Sequence, residues 1–214
     1  MQPQVIALVG QRGSGKDTVA DALIRAGHYH RLSLADPLKS LAATLWPDGF
    51  PREALQQLGA TCAAVDPAAL ANRCVRGIKA AGPQVRWVIP DLRRPAEVAA
   101  LRAALGSQLA VWWVWAPSRV RDTRITARIR PDGLHETAAS AADPTETLAA
   151  FPVALCDAIW DNSRTTPNPV DTWAAWFTAH PDAWHHRIPR HPFGCPPVPA
   201  PVLRAITHSL MEVS

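Results

Sequence analysis

Apolar residues run along this chain in two periods. Val5-Ile6-Ala7-Leu8-Val9 and Leu109-Ala110-Val111-Trp112-Trp113-Val114-Trp115 are unbroken apolar runs. Such runs suit strands of a parallel sheet covered on both faces. His28–Leu34 alternates apolar and polar like a second strand, Arg86–Ile89 reads as a short third, and Ala158–Trp160 ends a further one. Between these segments the period lengthens to that of a helix. Lys16–Ala26 carries Val19, Ala22, Leu23 and Ala26 on one face and stops at Gly27. Pro37 in a first turn starts a helix to Leu45. Pro51–Gly59, Pro67–Ala80, Pro95–Leu105 (closed by Gly106), Ser118–Ile129 and Val170–Thr178 read as further helices, and Asp132–Asp143 as a mobile loop. The alternation predicts a three-layer α/β fold, a roughly five-stranded parallel sheet flanked by helices. No internal repeat is visible.

The 214 residues suit one domain with an appendage. We expect the domain to occupy residues 1–179, with an arginine-rich lid near 117–145, and a tail to occupy residues 180–214. From His180 to Pro201 proline, histidine and arginine dominate, and little there could pack. Val202, Leu203, Ile206, Leu210 and Val213 then make the apolar stripe of a short helix. That stripe either docks back onto the domain or forms a homodimer contact. The net charge is +4, from 22 basic and 18 acidic residues, and the basic excess is mainly arginine. Arginine suits bidentate contacts to phosphate, but so mild an excess does not by itself indicate nucleic acid. The four cysteines lie far apart without a Cys-x-x-Cys pair, so the expected setting is the reducing cytoplasm rather than a disulfide framework. No signal peptide or spanning apolar run is seen, and no membrane partner is expected.

The chemistry concentrates in Gly10-Gln11-Arg12-Gly13-Ser14-Gly15-Lys16-Asp17-Thr18, which joins the first strand to the first helix. Glycines let the backbone turn tightly and bring N–H groups close to phosphate oxygens. The helix N-terminus adds donors and the favourable end of its dipole. Lys16 supplies a positive charge for the outer phosphates of ATP, with Gly10, Arg12, Gly13, Ser14, Gly15, Asp17 and Thr18 around them. The usual residue after the lysine is Ser or Thr, whose hydroxyl binds Mg²⁺. Asp17 stands there instead. Thr18 lies about 100° further round the helix and cannot simply replace that hydroxyl. The order Gly-Ser-Gly-Lys-x-Thr looks like the adenylate-kinase type of loop and points to kinases of small substrates.

Four further segments carry candidates. Asp91 follows the third strand, where an acidic residue can hold Mg²⁺ water beside a phosphate loop, or else cap the helix at Pro95. Asp17 is the second metal candidate. Arg93 and Arg94 share that sheet edge. Arg121, Arg124 and Arg128, spaced i, i+3, i+7, share one helix face and could close over a triphosphate as a lid. Asp36 and Lys39 suit an acceptor pocket, although Asp36 also reads as the cap of the helix at Pro37. Gln56 could read a base edge with its amide. His180, His185, His186, His191 and Cys195 fit no familiar zinc spacing, and Trp112, Trp113 and Trp115 read as core.

Assembled, the chain resembles the deoxynucleoside monophosphate kinases of tailed phages. The matching pieces are Gly13–Thr18 with Ala20, Ala35-Asp36-Pro37-Leu38-Lys39, Leu55-Gln56-Gln57-Leu58-Gly59, Ile89-Pro90-Asp91-Leu92-Arg93 with Glu97, Pro144-Thr145-Glu146-Thr147, and Asp157…Asn162. They occur in the family's order over residues 4–178. Arg94 and Asp143 depart from residue types the family often carries there, and both departures touch acceptor recognition. The resemblance implies transfer of the ATP γ-phosphate to a deoxynucleoside 5′-monophosphate with Mg²⁺. In that reading Lys16, Arg93, Arg124 and Arg128 act on the reacting groups, Arg121 joins the ATP contacts, and Asp36, Lys39, Gln56 and Arg93 hold the acceptor. Two rivals stand beside it. One is a kinase of a hydroxyl on a modified base within phage DNA, in which the basic tail would grip DNA. The other is an ATP-binding interaction module without catalysis.

Overall fold

A computed structural model describes residues 4–25, 29–127, 148 and 151–163. Its strands are β1 (Val5–Val9), β2 (His30–Arg31), β3 (Trp87–Ile89), β4 (Leu109–Trp115) and β5 (Ala158–Asp161). They form one sheet in the order β2-β3-β1-β4-β5, every pair parallel. β1 lies at the centre, with Val5 opposite Trp87 on one side and Leu109 on the other. The helices are α1 (Lys16–Arg25), α2 (Asp36–Leu45), α3 (Arg52–Val65), α4 (Ala69–Ala81), α5 (Pro95–Leu105) and α6 (Ser118–Thr126). The α/β architecture expected from the alternating periods is the one observed.

The unbroken apolar strands explain the layering. Along β1 successive side chains face opposite ways. Ile6 and Leu8 pack with Val19, Ala20, Ala22 and Leu23 of α1 and with Trp112. Val5, Ala7 and Val9 pack with Cys74, Val75 and Ile78 of α4, Val98 and Leu101 of α5, and Trp113. Each large aliphatic side chain so buried contributes about 1.5–3 kcal/mol. Trp112 and Trp113 are both core residues, as their setting in the sequence suggested. The β5 edge is fastened by Asp157, whose N–H donates to the Val111 carbonyl and whose carboxylate accepts the Val111 N–H, each at 2.7 Å.

Three local expectations are corrected. β2 shrinks to His30–Arg31, because residues 33–35 turn away to meet a side chain from β3's end. Gly59 does not stop α3, which continues to Val65. A Cβ at Gly59 would lie in ordinary contact, 3.4 Å, with a Leu38 methyl of α2. Asp36 does not cap α2 from outside. It sits in the first turn, after Ala35, and its carboxylate accepts the Ser33 N–H at 3.3 Å. The predicted loop 132–143, the helix 170–178 and the tail 180–214 lie outside the described residues. No helix among the described residues is long and apolar enough to cross a membrane.

Candidate active site

Connections diverge at β1: the chain leaves β1 towards β2 on one edge, whereas it leaves the neighbouring β3 towards β4 on the other side of β1. In open α/β sheets a ligand crevice opens at the carboxyl ends of strands at such a point. The loop from Gly10 to Gly15 lies there. Gly13 and Gly15 adopt φ of +76° and +93°, a region that disfavours side chains. Gly10 has no room for one, since a Cβ would collide with the Val114 carbonyl of β4. Lys16 reaches back across the loop, its Nζ donating to the Gly10 carbonyl at 2.6 Å and the Gln11 carbonyl at 3.2 Å. α1 aims the positive end of its dipole at the same mouth. The result is a backbone cradle with one ammonium over it, a geometry suited to phosphate.

α6 and the end of β5 support this cradle from behind. A Cβ on Gly13 would lie 2.7 Å from the Arg121 carbonyl. Arg121 donates from Nε to the Ala116 carbonyl at 3.2 Å, and burial lowers its pKa. Arg124 donates to the Gly13 and Ser14 carbonyls at 3.5 and 3.4 Å and to the Asn162 carbonyl at 2.9 Å. Both arginines are therefore anchored on protein carbonyls beside the loop. Arg128, expected on the same face, lies outside the described residues.

Asp91 and Arg93 follow β3, and Asp36 and Lys39 lie in α2, the helix after β2. Both oxygens of the Asp91 carboxylate are engaged. Ser33 Oγ donates at 2.6 Å, the Leu34 N–H at 2.9 Å and the Ala35 N–H at 3.0 Å. Asp91 thus latches the start of α2 to β3 rather than capping α5. That second task falls to Glu97, whose Oε2 accepts the N–H groups of Arg93 and Arg94, each at 2.9 Å. Burial raises the Glu97 pKa, and the two amides offset part of that rise. Asp36 pairs with Lys39 at 3.3 Å on the exposed face of α2, and Gln56 is half-buried on α3.

Asp17 has a protein partner of its own. Its carboxylate pairs with Arg31 of β2 at 3.0 Å, and Arg31 also holds Asp21 at 2.9 Å. Burial opposes the Arg31 charge, but the two carboxylates outweigh it and raise the pKa. Thr18 is exposed, and Arg12 is half-buried in the loop. Among the described residues no three His, Cys, Asp or Glu side chains are grouped to hold a metal ion. Sequence reading passed over Arg31 as a partner of Asp17, and Ser33 as a partner of Asp91. Each bond joins residues far apart in the chain, and no spacing rule connects them.

A family model described as an AAA domain, AAA_33, matches residues 5–150. The chain belongs to this family. The AAA_33 match begins at β1 and takes in the whole cradle, so nucleotide binding is implied for the loop just described. Among solved structures, the AAA_33 chain is similar to a sugar kinase from Janibacter sp. HTCC2649. The TM-score is 0.54 at 16% identity, over 86% of this chain and 98% of that one. It is also similar to a protein assigned as a kinase from Chloroflexus aurantiacus J-10-fl. Here the TM-score is 0.55 at 19% identity, over 84% and 99% of the two chains. At such identities the likeness speaks for the fold. No curated protein matches the chain in sequence.

Proposed function

We propose that this AAA_33 protein is a phosphotransferase that moves the γ-phosphate of ATP to a small acceptor, a deoxynucleoside 5′-monophosphate. The observation that carries the reading is the cradle of positive-φ glycines with Lys16 lying across it, set at the carboxyl ends of parallel strands. The loop amides and Lys16 bind and neutralise the triphosphate. An acceptor phosphate oxygen forms a bond to the γ-phosphorus as the bond from that phosphorus to the β-phosphate oxygen breaks, leaving ADP. Because the nucleophile is already an oxyanion, no general base is required, and positioning with charge neutralisation supplies the catalysis. Arg93 orients the acceptor phosphate, with Asp36, Lys39 and Gln56 on the acceptor side. Arg121 and Arg124 brace the loop that holds the donor, and Arg128 is the lid arginine left to neutralise charge on the transferring phosphoryl.

Mg²⁺ bound with a nucleotide keeps several waters and needs only one or two carboxylates besides the phosphates. Asp91 and Asp17 fit that modest demand only through water, since each already holds protein donors. Bound in this way, the ion supplies neutralising charge to the phosphates.

A second reading, a hydroxyl acceptor, is favoured by the likeness to a sugar kinase. An acceptor panel with Mg·ATP tests both readings: each deoxynucleotide and ribonucleotide monophosphate, modified deoxynucleotides, simple sugars and hydroxymethylated DNA, read as ADP release. The expected result is turnover on a deoxynucleoside monophosphate that falls about a hundredfold or more in Lys16→Ala, with the fold intact. Turnover only on a hydroxyl acceptor selects the second reading. Near-wild-type activity in Lys16→Ala overturns the placement of ATP.

A further inference from the structure

We propose that Asn162 is a positioning residue of the phosphate loop that sets its affinity for the donor's phosphates, an inference that rests on the phosphate-loop reading above. Asn162 directly follows β5 and is 5% exposed. Its backbone is fixed because its N–H donates to the Trp115 carbonyl at the end of β4, at 2.7 Å. From that base its side-chain Nδ2 donates to the Ser14 carbonyl at 2.8 Å, across 148 positions of sequence.

The peptide plane gives this bond its consequence. The Ser14 carbonyl and the Gly15 N–H belong to one rigid trans unit and point in opposite directions. Drawing the carbonyl inward to Asn162 therefore turns the Gly15 N–H outward, to the face where phosphate binds. Gly15 permits this with φ +93°, and the place its Cβ would take is filled by Asn162 Nδ2 itself. Arg124 completes the anchor, with one guanidinium nitrogen 3.4 Å from the Ser14 carbonyl and the other 2.9 Å from the Asn162 carbonyl. Donors held ready need no reorganisation when phosphate arrives, and that readiness is what Asn162 contributes.

The test measures calorimetric binding of two probes, Mg²⁺ adenylyl imidodiphosphate and inorganic tripolyphosphate, to wild type, Asn162→Ala and Asn162→Asp, with thermal midpoints alongside. Losing a buried donor to a backbone carbonyl should weaken binding about tenfold. Asn162→Asp, nearly the same shape, sets a carboxylate oxygen against the Ser14 carbonyl and should weaken it at least as much. Both probes should weaken by the same factor, because the bond acts on phosphate and not on the base; the midpoints fall as well, and binding is read well below them, on folded protein. A merely structural role would lower the midpoint and leave the affinity of the folded protein unchanged. Folded variants that bind both probes like wild type overturn the proposal, as does weakening confined to the nucleotide probe. If Asn162→Ala fails to fold, Asn162→Asp decides by the same criteria. A wild type that binds neither probe overturns the phosphate-loop reading and this proposal with it. Wild-type binding with unaffected variants overturns this proposal alone.

Discussion

Replacing Asp91 by alanine separates two roles that its place in the sequence allows. The carboxylate accepts three hydrogen bonds, from Ser33 Oγ, Leu34 N–H and Ala35 N–H, at 2.6 to 3.0 Å. Leu34 and Ser33 are both buried, so water replaces the lost acceptor poorly. A hydrogen bond to a charged group contributes about 1.5–3 kcal/mol, and three of them are not additive. Ser33 Oγ already accepts the Ala35 N–H at 3.2 Å and retains that bond in the variant. We therefore expect Asp91→Ala to lose about 3 kcal/mol. For a chain of this size that is a fall of roughly 6–12 °C in thermal midpoint. Asp91→Asn keeps one acceptor oxygen but turns an amino group towards donors, so its midpoint should fall between those of wild type and Asp91→Ala. Circular dichroism melts with phosphate absent read both. A midpoint for Asp91→Ala within about 2 °C of wild type would refute the latch. If that variant also lost turnover, its carboxylate would be assigned to the phosphates' metal instead.

Gly15→Ala should abolish binding of the ATP analogue. Its φ of +93° and the collision of a Cβ with Asn162 Nδ2 would force the loop to move, and unchanged affinity by calorimetry would contradict the loop geometry. Glu97 gives a pH signature. Burial raises its folded-state pKa, so the folded protein holds that proton more tightly than the unfolded chain does, and the Glu97 contribution to stability falls as pH rises through the interval just above the ordinary glutamate value. Glu97→Gln should flatten this part of a urea-derived stability profile, and an unaltered slope would reject the assignment.

The sequence carried the architecture. Strands buried on both faces must be apolar throughout, so Val5–Val9 and Leu109–Trp115 announced the centre of a parallel sheet. The phosphate loop was legible for a related reason. Its function is performed by backbone, and glycine at Gly13 and Gly15 is the residue that positive φ requires, so conformation and composition coincide within one short segment. Helix ends were legible only where local chemistry decided them. Gly59 looked like a stop, yet α3 runs through it to Val65.

What the fold alone decided is where each charge is directed. Asp91 stood at the expected sheet edge, but its three donors come from the β2–α2 turn, 56 to 58 positions away. Asp17 follows the loop lysine, but Arg31 from an edge strand draws it aside. Asn162 reaches Ser14 only because β5 lies beside β4 and β4 beside β1. Hydrogen-bond partners are chosen by distances of a few ångströms. Periodicity fixes which face of an element a residue occupies, and only the assembled sheet determines which distant group waits there.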